Sequence, residues 1–187
     1  MHPLFRILGF FVLLFTAIVF FVFVVRLVIY FFKRTRFPRK TLVSALTGLI
    51  VFSGIFVYLQ YFFSFDAIDR SHKQEGPATS SPAGQYTANA YYEPYGGAAG
   101  GVNVWIEVTD HAENATRTIY YADAKQQFSL NWIDEETLSV TNADEYPDSD
   151  RSAVLKVRKE IYDENGLACK SLLMKNDYEE CYRYEKR

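Results

Sequence analysis

From Ile7 to Val25 the chain reads ILGFFVLLFTAIVFFVFVV with no charged position, and Leu27–Phe32 continue the apolar run past Arg26. At about 1.5 Å per residue, nineteen helical residues cover roughly 30 Å, the thickness of a bilayer's hydrocarbon core. A second charge-free run extends from Leu42 to Phe65. Beyond it the hydrophobic period falls to two. Tyr86, Ala88, Ala90 and Tyr92 share one face of a strand, as do Val102, Val104, Ile106 and Val108. RTIYYA, FSLNWI and TLSV continue this pattern, and AVLKVRKEIY and LACKSLLM flank a turn at Asp163–Gly166. The pattern predicts a membrane-anchored all-β protein. A helical hairpin occupies 1–65, with helices over 7–32 and 42–65 and a loop over 33–40. A flexible linker fills 66–81, and an antiparallel meander of five to seven strands fills 82–187. The last stretch, 177–187, is open between a short helix and a frayed tail.

Charge divides the chain at the same place. Residues 1–65 hold seven cations and no acid, whereas residues 66–187 hold all 22 acids and the other 13 cations, a net charge of −9. Aromatic usage follows: of 16 Phe only Phe128 lies beyond residue 65, while 11 of 14 Tyr and both Trp do. Phe suits hydrocarbon, whereas Tyr and Trp carry a polar tip that suits a half-wetted sheet. The front of the chain is composed for lipid and the back for water.

Six cations, Arg26, Lys33, Arg34, Arg36, Arg39 and Lys40, cluster between the apolar runs. Short loops rich in Lys and Arg stay on the cytoplasmic side of a membrane. The cluster therefore predicts two spans in the cell membrane with both termini extracytoplasmic. The lipid bilayer is the expected partner, and anionic lipid contact is compatible with the anchor. Nucleic-acid binding is not expected, because the patch is short, abuts a span and lacks a binding fold. Ser44, Thr47, Gly48, Val51 and Gly54 place small residues along the second helix, where another helix can approach closely. The first helix of the same chain is the expected neighbour.

Candidate chemistry is sparse. Tyr95–Gly101, YGGAAGG, lacks the Gly-Lys-Ser/Thr of a phosphate loop and precedes a strand, so it reads as a hairpin loop. Asp144, Glu145, Asp148 and Asp150 offer oxygen ligands, but at a spacing that matches no calcium loop. His111 would have to serve any Ser-His-Asp or Cys-His machinery, and its turn-like surroundings supply no partner. Cys169 and Cys181 both fall in the outer domain, where a disulfide can persist; they form a structural bridge or remain two free thiols. Trp105 alternates out of phase with its apolar strand neighbours. It is either covered by the segment around Leu172, Leu173 and Tyr178 or exposed as a contact for a partner.

SPAGQYTANAY followed by WIDEETLSV is similar to the S-P-D-G-K-Y … W-D-x-x-x-L strand pattern of single propeller-type blades, with Ala83 at the usual Asp position. One such unit cannot close a propeller. The chain also resembles an uncharacterised family of small membrane-anchored proteins from Gram-positive bacteria, a domain of unknown function. The resemblance spans about residues 81–140 and implies a location and an architecture, with no catalytic residue. The resulting expectation is a non-enzymatic binding or accessory module of the cell envelope, with no cofactor and an envelope or membrane protein as partner. The alternative is an envelope enzyme or metal-dependent hydrolase using His111 and the acidic loop 144–150.

Overall fold

The structure, a computed structural model, describes residues 3–34, 36–97 and 100–185. The chain divides into two units, 1–62 and 63–187. In the first, α1 (Pro3–Lys33) and α2 (Arg39–Tyr61) pack on each other. Both start a few residues before their charge-free runs, because helix geometry tolerates the flanking cations. α2 ends at Tyr61 rather than 65. Gly48 is the point of close approach: a Cβ there would clash with the Thr16 side chain, so a larger residue would push α1 away. Of the small-residue stripe, Gly48 is thus used within the chain, whereas Ser44, Thr47, Val51 and Gly54 are exposed. Elsewhere the hairpin turns its largest side chains outward, with Phe15 67% and Phe21 68% exposed.

The second unit is a mostly antiparallel β domain. Among the described residues it has nine strands: β1 (Gln74–Ser80), β2 (Tyr86–Tyr95), β3 (Gly101–Asp110), β4 (Ala115–Asp123), β5 (Gln127–Trp132), β6 (Thr137–Ala143), β7 (Ala153–Lys156), β8 (Glu160–Asp163) and β9 (Glu180–Tyr182). They form two sheets, ordered β1-β2-β3-β4-β8-β9 and β5-β6-β7. The expected single meander holds only for β1–β4. The chain then leaves the large sheet, builds the small one, and returns as β8, parallel to β4; β9 adds in parallel to β8. Period-two patterning reports which residues face a core, not which strand lies next to which.

The sheets pack face to face. Tyr86 stacks on Trp132 with ring centroids 6.1 Å apart, and Tyr92 meets Phe128 edge-on at 5.6 Å. Asn142, fully buried on β6, donates to the Tyr120 hydroxyl (2.8 Å) and the Asp123 carbonyl (3.0 Å) and accepts from the Lys125 N–H (2.8 Å). A buried amide so satisfied ties one sheet to the other at little desolvation cost.

Three further expectations need correction. The segment 66–81 is not a flexible linker: a 3₁₀ turn at Phe65–Ala67 leads to β1, which pairs with β2 along the sheet edge. Its polar composition fits an edge strand, where Pro77 costs no ladder bond to an outer neighbour. AVLKVRKEIY is two short strands, β7 and β8, joined by the tight turn at Val157–Lys159 and assigned to different sheets. LACKSLLM is not a strand: Leu167–Lys170 form one helical turn, α3, and 172–176 are turns. The buried Asp163 carboxylate accepts from the Asn165 and Ala168 N–H groups, which holds this region in a capped turn instead of a hairpin. Burial pushes that carboxyl above its ordinary range.

Candidate functional site

A concavity of about 750 Å³ opens on the six-stranded sheet. One wall comes from the segment Ser64–Lys73, another from β3 and β4 through Glu107, Thr116, Arg117 and Thr118, and the rest from Arg158, Ile161 and the turn Met174–Asp177. The β3–β4 pairing shifts register between Ile106 and Glu107. The extra residue, Ile119, lies on β4 and bends that strand. On β3, Glu107 Oε1 accepts from Trp105 Nε1 (3.1 Å) and from Arg70 Nε (3.2 Å). Arg70 also donates to the Asp66 carbonyl at 3.3 Å.

The other cations differ in how they are held. Lys73 sits 4.3 Å over the Tyr91 ring. Arg158 pairs with Asp110 (3.1 Å) and with Glu113. Asp110 is held below the usual carboxylate range: against the desolvation that would raise it, the N–H groups of Ala112 and Glu113 and the Arg158 guanidinium favour the charged form. Arg117 donates to the Val157 carbonyl. Burial, with Arg158 nearby, pushes its guanidinium below the ordinary value. The groove thus presents Lys73, set over a ring, and Arg117, bonded to a neutral carbonyl, beside the Thr116 and Thr118 hydroxyls. Such groups bind polar or anionic chemistry. The sequence offered little signal for this site, because its residues come from five separated stretches and none carries a motif.

The residues singled out in the sequence fall elsewhere. Trp105 is fully buried, so its reading as an exposed contact is incorrect. It stacks on Tyr91 with centroids 5.7 Å apart and lies in a row with Tyr91 and Tyr121 across β2, β3 and β4. Phe65, itself packed on Phe63, covers Tyr121 on this face. The cover therefore comes from the segment before β1; Leu172 and Leu173, expected to provide it, are exposed. His111 Nε2 bonds Thr87 Oγ1 at 2.8 Å on the β3–β4 turn. Asp148 and Asp150 line a different concavity with Tyr162, Tyr182 and Tyr184, one that His111 does not line. Cys169 and Cys181 are joined in a disulfide that ties α3 to β9. The loop 95–101 connects β2 to β3; Ala98 and Ala99 lie outside the described residues. Of the six cations, Arg26, Arg36, Arg39 and Lys40 line one concavity at the turn of the helical hairpin. Among the described residues no ion pair joins any of the six.

The SPAGQY … WIDEE pattern acquires a physical meaning. Glu135 Oε1 accepts from Ser81 Oγ (2.5 Å) and the Gln85 N–H (3.0 Å), and Oε2 accepts from the Ala83 N–H (2.6 Å). The carboxylate absent at position 83 is supplied across the sheets by Glu135. The Ser81 hydroxyl, with these N–H groups, holds Glu135 below the usual carboxylate range. Gly84, at φ 76°, takes the left-handed conformation the turn needs. The motif is a staple between the sheets.

Residues 38–166 match a family of unknown function, DUF5412. The chain belongs to this family. The matched segment is wider than the propeller-like pattern, reaching from the start of α2 to Gly166; α1 and the disulfide lie outside it. No curated protein and no solved structure matches the chain. Family membership agrees with the expected domain of unknown function, and the two N-terminal helices are long and apolar enough to cross a membrane.

Proposed function

We propose that the chain is a two-span membrane protein that displays an acidic β domain on the outer face of the cell membrane. There the domain serves as a non-enzymatic binding or accessory module, and the groove around Arg117 and Lys73 is its contact for an envelope or membrane component. The observation that carries this reading is the outward apolar surface of the helical hairpin. Phe15 and Phe21 are more than half exposed along helices whose only cations gather at the turn and the N-terminal end. Water disfavours such a surface by roughly 25 cal/mol per Å², and lipid covers it. The cation cluster supports a cytoplasmic turn, and the disulfide suits an oxidising exterior.

Cysteine reporters test the topology in whole cells. Ser80→Cys, exposed on β1, should react with a membrane-impermeant thiol reagent, and Thr35→Cys should react only after permeabilisation. The reversed pattern would overturn the proposal. A photo-crosslinking residue at Thr118 then tests the groove: a discrete adduct in intact cells, lost in Arg117→Ala, is expected. An adduct unaffected by that change would move the contact elsewhere.

A further inference from the structure

Exposed leucines are ordinary singly, but Leu172 and Leu173 are adjacent, 62% and 57% exposed, and lie on a rigid turn. One hydroxyl organises that turn. Ser171 Oγ donates to the Phe63 carbonyl (2.5 Å) while accepting from the N–H groups of Leu173 (3.1 Å) and Met174 (3.4 Å). The disulfide at Cys169 and the Tyr178 hydroxyl bond to the Ala168 carbonyl (2.9 Å) brace its approach. The turn is therefore fixed to residue 63 of the chain. Phe63 follows Tyr61, the last residue of α2, by two positions, so the covalent chain keeps the two within about 7 Å. Lys170 and Lys175 flank the leucines, are exposed, and join no ion pair among the described residues.

We propose that the Leu172–Leu173 turn is a second membrane contact, inserting its two side chains into the outer leaflet of the bilayer that α2 crosses, with Lys170 and Lys175 at the phosphates. The inference rests on the two-span reading. Aliphatic side chains dip into the boundary between headgroups and acyl chains, and neighbouring lysines reach the lipid phosphates. A lipid surface fits better than a protein groove because the turn is stapled to the residues that leave the span.

The test uses the full chain in nanodiscs of phosphatidylcholine and phosphatidylglycerol. Leu172→Trp and Leu173→Trp, each read against the native protein, should emit at shorter wavelength than a water-exposed indole. Lipids spin-labelled near the headgroup should quench them, and iodide should not. Ile133→Trp is the aqueous control. It follows Trp132, whose indole N–H bonds the Thr79 carbonyl, at the far end of the seven-residue β1 from Lys73, a distance of about 20 Å. Iodide should quench it. Iodide quenching at 172 and 173 in protein that co-elutes with nanodiscs would overturn the lipid contact alone. Shielding from both quenchers would also overturn it, in favour of a second copy covering the turn. Failure to co-elute with nanodiscs would overturn the span reading and this inference with it.

Discussion

The helical hairpin and the β domain place their large side chains in opposite directions. Phe15 and Phe21 point out of the hairpin, whereas Trp105, the largest buried side chain of the β domain, has no exposed surface. The same free energy of removing apolar area from water acts on both. In the domain it is satisfied by a second sheet on one face and by Phe65, backed by Phe63, on the other. The hairpin leaves it to the surroundings. A burial argument therefore applies to a tryptophan in one unit and fails for a phenylalanine in the other.

Substitution should expose this difference most sharply. Trp105→Ala should destabilise the β domain by about 3–5 kcal/mol, as truncation of a core aromatic does. Phe15→Ala should leave the domain's unfolding transition where it was. Thermal unfolding of the detergent-solubilised chain, followed by near-ultraviolet circular dichroism, measures both. An unchanged transition in Trp105→Ala would mean that the outer face of the sheet is not a core.

The disulfide is a further contrast, since the hairpin has no covalent brace. Cys169 and Cys181 close a short loop, so replacing both with Ala should cost about 2–4 kcal/mol. Reductant should lower the native transition to that of the double variant and leave the variant unaffected. The smallest effect belongs to the sheet-to-sheet staple. Glu135 has a depressed pKa when folded, so its stabilisation is complete above the unfolded value of 4.5 and is lost as pH falls through the lower folded value. Glu135→Gln should lower the melting temperature at pH 7, and the gap from the native protein should close on acidification below pH 4.5. A gap independent of pH would remove the carboxylate from the staple.

The propeller-like pattern shows how far sequence reasoning reached. Ser81, Tyr86 and Trp132 were visible as a turn and two strands, and the missing carboxylate at Ala83 was visible as a departure. That Glu135 fills the gap was not, because it lies 52 residues away and reaches the turn only once the sheets are stacked. Trp105 was left open between covered and exposed for a related reason. Alternation assigned it correctly to the face opposite Val104 and Ile106, but the polar neighbours Asn103 and Glu107 made that face look wet. Glu107 is there to receive the indole N–H and Arg70.

By itself the sequence determined the two apolar helices, the cationic turn between them and a mostly antiparallel domain behind them. These follow from local periodicity and from charges that few folds can bury. Tertiary structure alone decided that 74–80 is a strand, that β8 runs parallel to β4, that Phe65 covers Tyr121 beside Trp105, and that Arg70, Lys73, Arg117 and Arg158 share one groove. Each of these joins residues distant in the chain. Their proximity is set by how two sheets share buried area, a quantity that no window of sequence contains.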